Sequence, residues 1–542
     1  MAAITTSTTV DRDLPNGRTV RITGYLSLGG NKLFRIEYAG KAGCVAHDLF
    51  VIDKAKARTL LMQQGVVIIS DSAWRGIIDA VDEVPSFAAA PLIERPGWTG
   101  PYFAEKGGKV YSPKGSPKGI AIFKRSGTAK TINGTHRNWL VQVAQHLTGQ
   151  NLPMLAVLMA LAAPLLEIIG ETQNVGFEFC GPPETGKTTC LRLMASIAGN
   201  PALLPSFNAT KLGLEGMFVA HNCLPFVVDE ANLVSRGDSQ FLADFAFHMS
   251  LGTTRVTAHQ PVLVKYRFVF ATTANDPFYS GLRAFAADTA SAALQRLIPL
   301  LVPRDNPFGV FDHLSSGFST SGAMASYLSQ AIGEQYGTPM RKMLRAVVKL
   351  RASDPDRLKN GLLRRIHAFE AAVGIATTVR GKSRIATAFG LLFAAGEFAK
   401  AHGILPANWD CMAACIAGYR NYLTQLPHHT PLAARLLAIA QRPETLDLRG
   451  RALPELSDDD LHRHGAFLNK GVSGRIELLF TDAIRRQFFP DWNTLRQSAE
   501  FRASNLSGRD RRTTQRQVRQ GRRKERFIAF VLPVDHELHP QK

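Results

Sequence analysis

The sequence predicts an α/β protein organised around a parallel sheet, with mixed and helical modules on either side of it. Three observations carry this expectation. Apolar strand signals alternate with helix signals at 176–180, 188–198, 224–228, 238–250, 266–273 and 297–302, the pattern of a parallel sheet with crossover helices. The run Gly181-Pro182-Pro183-Glu184-Thr185-Gly186-Lys187-Thr188 falls between the first strand and the first helix of that series. Finally, 542 residues allow roughly three or four domains of about 150, and 45% hydrophobic with 20% charged residues argues against a disordered chain or a membrane protein as a whole.

In chain order, residues 1–90 read as a mixed N-terminal accessory module. It has strands Thr19–Ile22 and Leu33–Tyr38, a helix Asp53–Gln64 and an apolar strand Val66–Ile69. Residues 91–135, rich in Gly, Pro, Lys and aromatics (Arg95-Pro-Gly-Trp98, Pro113-Lys-Gly), read as a connector of short hairpins. Helices Arg137–Leu147 and Met154–Ile169 open a core domain spanning 136–310. A mostly helical segment follows over 311–442, and a composition change at Gln441–Gly450 marks a boundary. The end module, 443–542, reads as helices Ile476–Phe488 and Thr494–Ala503 and a strand Phe527–Leu532, compatible with a winged helix. Within it Arg502–Arg526 holds ten Lys or Arg against two acids. A solvated tail is the general reading of such a run, but the apolar strand after it favours a basic wing.

Charge and cysteine usage narrow the function classes. Lys plus Arg number 64 against 44 Asp plus Glu, and the resulting +20 favours a polyanionic partner such as nucleic acid. Six scattered cysteines do not form a disulfide framework and point to a reducing compartment. Cys411 and Cys415 read as neighbouring core thiols, with no metal assigned. Leu152–Leu166, the longest uncharged apolar stretch, contains Pro153 and Pro164 and falls short of the about 20 residues a membrane span needs, so it reads as a buried helix. Met1–Asp13 lacks the features of a secretory signal, which makes a cytoplasmic protein with no membrane partner the expectation and Asn133 no glycosylation site.

The residues that carry chemistry follow from spacing. Gly181 to Thr188 fits G-x-x-x-x-G-K-[ST], a loop whose backbone N–H groups converge on a phosphate chain at a helix N-terminus. Lys187 would sit on the β and γ phosphates and Thr188 on Mg²⁺, with Thr189 completing the nucleotide-binding run. Forty-two residues beyond Lys187, the apolar strand Leu224–Val228 ends in Asp229 and Glu230. Asp229 suits Mg²⁺, and Glu230 suits a base that polarises an attacking water, a pairing expected of an ATP hydrolase. The strand Tyr266–Thr273 runs into Asn275, a candidate contact for the γ-phosphate or the water, with Thr273 second; an Asn capping a turn before Pro277 accounts equally for the local sequence. The stretch Gly252–Lys265 alternates like a hairpin and carries Arg255, His259 and Lys265 without an acid. It reads locally as a solvated hairpin, and as a phosphate-facing insertion only with further context.

Taken together, Gly181 to Thr189, the segment Asn208–Gly216 with His221-Asn222, Asp229-Glu230 and Arg95-Pro-Gly-Trp98 resemble domain-of-unknown-function family nine hundred and twenty-seven, a family of mobile-element and prophage proteins. The resemblance covers roughly Leu92 to Gly403 and extends more weakly to both ends; members look like helicases, and some resemble minichromosome-maintenance-type AAA+ replicative helicases. It implies a P-loop AAA+ core with a helical lid, using ATP and Mg²⁺, and a homo-oligomeric, hexameric ring acting on DNA with mobile-element replication proteins. It also implies an arginine finger at Arg296, with Arg283 the alternative, and a sensor arginine at Arg384, with Lys382 second. Asn275 fits the sensor of the third strand, and 252–265 the pore hairpin, which raises Arg255, His259 and Lys265 as DNA contacts. Arg511, Arg512, Arg516, Arg519, Arg522 and Arg523 in the terminal basic run are the remaining candidates for nucleic-acid contact. The alternative function is a nucleotide-switched DNA-binding or regulatory ATPase that unwinds nothing.

Overall fold

The computed structural model describes residues 8–27, 30–123, 131–171, 173–202, 204–205, 211–229, 249–254, 264–277, 296–375, 384–425, 432–449, 464–470, 475–489, 492, 501, 515–520 and 523–532. Among these, the residues up to 277 and from 296 to Tyr419 form one compact unit, and those from Arg420 onward form a second.

The first unit begins with strands β1 (Thr9–Asp13), β2 (Thr19–Leu26), β3 (Lys32–Tyr38) and β4 (Lys41–Ala46), an antiparallel sheet in that order. Helices α1 (His47–Ile52), α2 (Lys54–Gln63) and α3 (Asp71–Asp82) follow, and β5 (Ala88–Ala89) pairs parallel to β2. Alternate residues of β2 and β3 (Val20, Ile22, Phe34, Ile36) meet Leu61, Trp74 and Ile77 in one core. The expected strand Val66–Ile69 is extended but makes no ladder. Val66 and Ile68 point inward and Val67 and Ile69 outward, while the Arg58 guanidinium donates to the Ile68 and Ile69 carbonyls. Sequence reading passed over α3, although Ser70 caps it and Ala73, Trp74, Ile77, Ala80 and Val81 recur on its buried face.

The connector forms short pairs: β6 (Leu92–Ile93) lies parallel to β10 (Ile120–Ala121), and β7 (Gly97–Thr99), β8 (Tyr102–Ala104) and β9 (Val110–Tyr111) form an antiparallel meander. Helices α4 (His136–Gln142), α5 (Asn151–Ala162) and α6 (Leu166–Ile169) come next. The apolar stretch has the length and composition of a membrane span, yet residues 152–166 are all buried in the protein, as the sequence suggested.

The central sheet holds β11 (Val175–Cys180), β12 (Phe226–Val228), β13 (Val269–Ala274) and β14 (Leu297–Leu301), all parallel, in the order β12-β13-β11-β14. Helix α7 (Lys187–Ala198) follows β11 and α8 (Lys211–Ala220) precedes β12. β12 and β13 are buried at every position, as a sheet covered on both faces requires. Helices α9 (Ser321–Glu334), α10 (Thr338–Ser353), α11 (Pro355–Ala372), α12 (Arg384–Ala401) and α13 (Cys411–Leu423) complete the helical segment. Cys411 and Cys415 are buried thiols, and no cluster suited to a metal occurs among the described residues.

In the second unit, α14 (Leu432–Ala440), β15 (Leu446–Asp447), β16 (Ala466–Lys470), β17 (Ile476–Phe480), α15 (Asp482–Phe488), β18 (Gln515–Gln520) and β19 (Arg523–Val531) build a five-stranded sheet in the order β15-β16-β17-β19-β18. The expected helix Ile476–Phe488 is therefore a strand followed by a helix. Ile476–Phe480 pairs with both β16 and β19, and long-range ladders override a local pattern that reads equally well as helical. The expected strand at 527–532 is present and starts earlier, at Arg523. Thr494–Ala503 lies outside the described residues except for Phe501, which is buried.

Candidate active site

β11 ends at Cys180, and the chain turns through Gly181–Gly186 into α7. Gly186 takes φ +91, and a Cβ there would come within 2.7 Å of the Val310 side chain, so only glycine fits. Lys187 is 9% exposed and folds back over the loop. Its ammonium donates to the Gly181 and Pro182 carbonyls at 2.8 and 2.6 Å, and to Asn275 Oδ1 at 3.4 Å. The Thr185 hydroxyl closes the turn onto the Pro182 carbonyl at 2.9 Å. Burial pulls Lys187 below the usual ammonium range, against the opposing pull of Cys180 and Asp229. A buried cation whose hydrogen bonds among the described residues go to two carbonyls and an amide gains from an arriving anion. Pro183 and Glu184 are exposed at the loop tip, and Thr188 and Thr189 stand in the first turn of α7.

Asp229 follows directly on β12. Its Oδ1 accepts the Thr273 hydroxyl at 2.6 Å and lies 3.5 Å from the Thr188 hydroxyl. Because β13 runs between β11 and β12, its C-terminal end opens onto the space between Lys187 and Asp229. Thr273 and Asn275, offered by the sequence as second and first choice, thus both reach the site, one on each side. One carboxylate and two hydroxyls form a hard-oxygen set of the kind that holds Mg²⁺ together with phosphates and water. Glu230 lies outside the described residues.

A contribution that sequence reading missed comes from the loop after β14. The Val310 amide donates to the Thr185 carbonyl at 2.8 Å, and Gly309, at φ +66, approaches that carbonyl too closely for any Cβ. Asn306 shapes this loop, its amide donating to the Gly309 and Phe311 carbonyls at 3.0 and 2.7 Å. Asp312 then accepts the Asn151 backbone and side-chain amides at 2.6 and 2.8 Å, tying the assembly to the start of α5. The Asp305-Asn-Pro-Phe-Gly309 turn composition was the available signal.

Arg296 and Arg384 are elsewhere. β14 pairs Leu297 with Gly176 and Leu301 with Cys180, so Arg296 lies at the start of the strands, about 16 Å along the sheet from the loop. Arg296 Nε donates to Ser250 Oγ at 3.0 Å, and Arg384 donates to the Asn174 carbonyl at 3.2 Å. Burial, and then the nearby Arg296, lower Arg384. The two guanidiniums are neighbours, and neither is brought to Lys187 of its own chain. Arg283 and Lys382 lie outside the described residues.

At the base of the 252–265 stretch, Thr253 bridges antiparallel to Lys265, and the Tyr266 amide donates to the Gly252 carbonyl at 2.8 Å. Lys265 is exposed, and Arg95 holds its carbonyl at 2.9 Å. Arg255 and His259 lie outside the described residues. Arg95-Pro-Gly-Trp98 and Asn222 prove structural. Asn222 Nδ2 donates to the Pro96 carbonyl at 2.7 Å, its Oδ1 accepts the Arg267 amide at 2.8 Å, and Trp98 donates to the Pro164 carbonyl at 2.9 Å. Arg516 and Arg519 fall on β18 and Arg523 on β19, whereas Arg511, Arg512 and Arg522 lie outside the described residues.

One solved structure shares this architecture. A solved structure described as "SCCmec type IV Cch - active helicase" aligns over 98% of both chains with a TM-score of 0.60 at 17% identity, so this chain shares its fold. A structure described as the apo NrS-1 C-terminal region matches 69% of this chain and 86% of its own, with a TM-score of 0.26 at 14% identity. No curated protein matches. The family match starts upstream of the Leu92 limit expected from the motifs and stops at the hairpin base rather than near Gly403. Residues 35–265 match the family described as "Domain of unknown function (DUF927)", the family to which the Arg95, Gly181, His221 and Asp229 motifs had pointed.

Proposed function

We propose that this protein is an ATP-driven DNA helicase or translocase with an AAA+ P-loop core, serving the replication of a mobile element in a bacterial cytoplasm. The observation that carries the reading is the convergence of Lys187, Asn275, Thr188, Asp229 and Thr273 at the C-terminal ends of three adjacent parallel strands. In an open parallel sheet this is where ligands bind. The Gly181–Gly186 amides and the α7 N-terminus receive the phosphate chain, and Lys187 exchanges its loop carbonyls for β- and γ-phosphate oxygens. Thr188 and Asp229 hold Mg²⁺, which when bound offsets the charge on those phosphates. Thr273 orients the Asp229 carboxylate, Asn275 contacts the γ-phosphate or the water, and Glu230, next in sequence to Asp229, activates that water.

Arg296 and Arg384 form a cationic pair that suits the nucleotide of a neighbouring subunit, as a finger and a sensor supplied across a ring interface. A second subunit is then required for turnover. The fold shared with a structure described as an active helicase supports a motor, and a surplus of twenty positive charges suits a polyanionic track. The helical segment from α9 onward acts as lid, the terminal module as a basic winged helix, and the 252–265 hairpin as the DNA-facing element. A forked-duplex unwinding assay with and without ATP tests the reading. Strand separation that needs ATP is expected, whereas ATP turnover and DNA binding without any movement on DNA would favour a nucleotide-switched binding protein.

A further inference from the structure

Helix α10 carries Arg341, Lys342, Arg345, Lys349 and Arg351 and no acid anywhere from Thr338 to Ser353. Arg341, Arg345 and Lys349 recur every fourth residue, forming one stripe about 12 Å long. This arrangement works against the helix. Like charges four apart repel, and Arg341 lies at the end of the first turn, where the helix dipole disfavours cations. Among the described residues the ion pair of this helix is Arg351 with Glu167 at 3.1 Å, and the three stripe residues make none. The buried Nε of Arg341 has no hydrogen-bond partner among them.

A second element adds to the same charge. α10 packs against β8 and β9, and the turn between those strands presents the exposed Lys109, whose ammonium stands 5.0 Å above the Tyr111 ring. Lys109 is pulled down by burial, with Glu105 opposing and Arg341 and Arg345 lowering it further, which places the three cations in one field. Glu105 is itself engaged by the Tyr111 hydroxyl at 2.6 Å. On its other side the hairpin lines a cleft of about 280 Å³ with Arg35 and Lys118. A protein partner would meet an apolar centre with charges at the rim. Here the stripe is cationic from end to end, and Tyr111 is buried beneath it.

We propose that the Arg341, Arg345 and Lys349 stripe, with Lys109, binds the phosphodiester backbone of a nucleic acid, in addition to the contacts proposed for the 252–265 stretch and the Arg502–Arg526 run. With Tyr111 buried and no exposed ring among the described residues of α10, β8 and β9, the contact is independent of sequence. The inference rests on the chain acting on nucleic acid, and its test separates the two.

Full-length protein is titrated with fluorescent 30-mer duplexes of two unrelated sequences at several salt concentrations. Changing Lys109, Arg341, Arg345 and Lys349 together to Gln should flatten the slope of log K against log salt by about 3 to 4 units, equally for both sequences. Basal ATP turnover should stay as in the parent. The pair Lys109→Gln and Arg345→Gln, both at exposed positions, avoids any doubt about folding and should flatten it by about 2 units. A parent that binds DNA, with slopes unchanged in both variants, overturns this surface and leaves the functional reading standing; an acidic protein partner would give that result. A parent that binds no DNA at any salt overturns both.

Discussion

The two ends of the central sheet differ in how their polar groups are assembled. At the C-terminal end, Lys187 and Thr188 open a helix, Asp229 and Asn275 follow directly on strands and Thr273 lies near the end of β13, so the strand order brings them together. At the N-terminal end, Arg296 and Arg384 are held by Ser250 and Asn174, from four separate segments. At the first end the described groups come together within one chain, the arrangement proposed above to take a phosphate chain. The second brings Arg296 and Arg384 together about 16 Å along the sheet from the Gly181–Gly186 loop, which is why they are proposed to serve a neighbouring subunit.

The largest effects should come from disabling either end. Lys187→Ala and Arg296→Ala are each expected to lower ATP turnover by about 10³-fold or more, measured by phosphate release, with thermal unfolding close to the parent's. Their salt and concentration dependence should differ: at Arg296 the deficit is one of assembly-dependent hydrolysis, at Lys187 one of nucleotide binding as well. Glu230→Gln should retain ATP and fail to cleave it. Equal turnover in parent and Glu230→Gln would remove Glu230 from the mechanism.

A smaller effect sharpens the first end. Asn306→Ala removes two hydrogen bonds that shape the loop behind Thr185, a loss of about 2 kcal/mol at most. The KM for ATP should rise several-fold with kcat close to the parent's, read by steady-state kinetics. An unchanged KM would mean that the Gly181–Gly186 turn holds its shape without that support.

The smallest is a pH effect outside both ends. His221 donates through Nδ1 to the Met217 carbonyl at 2.8 Å and faces the Lys106 ammonium at 3.0 Å, and burial followed by Lys106 holds it down to about 3. The unfolded chain binds a proton near pH 6.5 and the folded chain does not, so stability should fall as pH drops from about 6.5 toward 3, by roughly 1 kcal/mol per unit. His221→Gln should flatten that slope in denaturant titrations at pH 7, 6 and 5. An identical slope would place the acid sensitivity elsewhere, for instance at His136, which burial lowers to about 4.

The sequence made the C-terminal end of the sheet legible because its residues sit at fixed offsets from strands, as Lys187 and Asp229 do. The 303–313 loop escaped it because the loop's function depends on partners such as Asn151, which lies 161 positions from Asp312. Ile476–Phe480 was misread for the same reason: its strand character comes from β16 and β19, not from its own residues. Helix α3 was legible and passed over, since Ser70 and the spacing of Trp74, Ile77 and Val81 give a capped amphipathic helix. The Arg95 and Asn222 motifs were legible as a family signature, while their structural work, bonding Pro96 and Arg267 across the chain, was not.

The division of labour between the two ends is tested most directly by mixing. Lys187→Ala and Arg296→Ala chains, each inactive alone, are combined at equal concentration and assembled, and ATP hydrolysis is measured against the parent. Interfaces that pair an intact Lys187 with an intact Arg296 should restore a measurable fraction of turnover, increasing with total protein. Mixed assemblies of both chains, verified by differently tagged subunits, that hydrolyse no more ATP than either variant alone would contradict an arginine supplied across the interface.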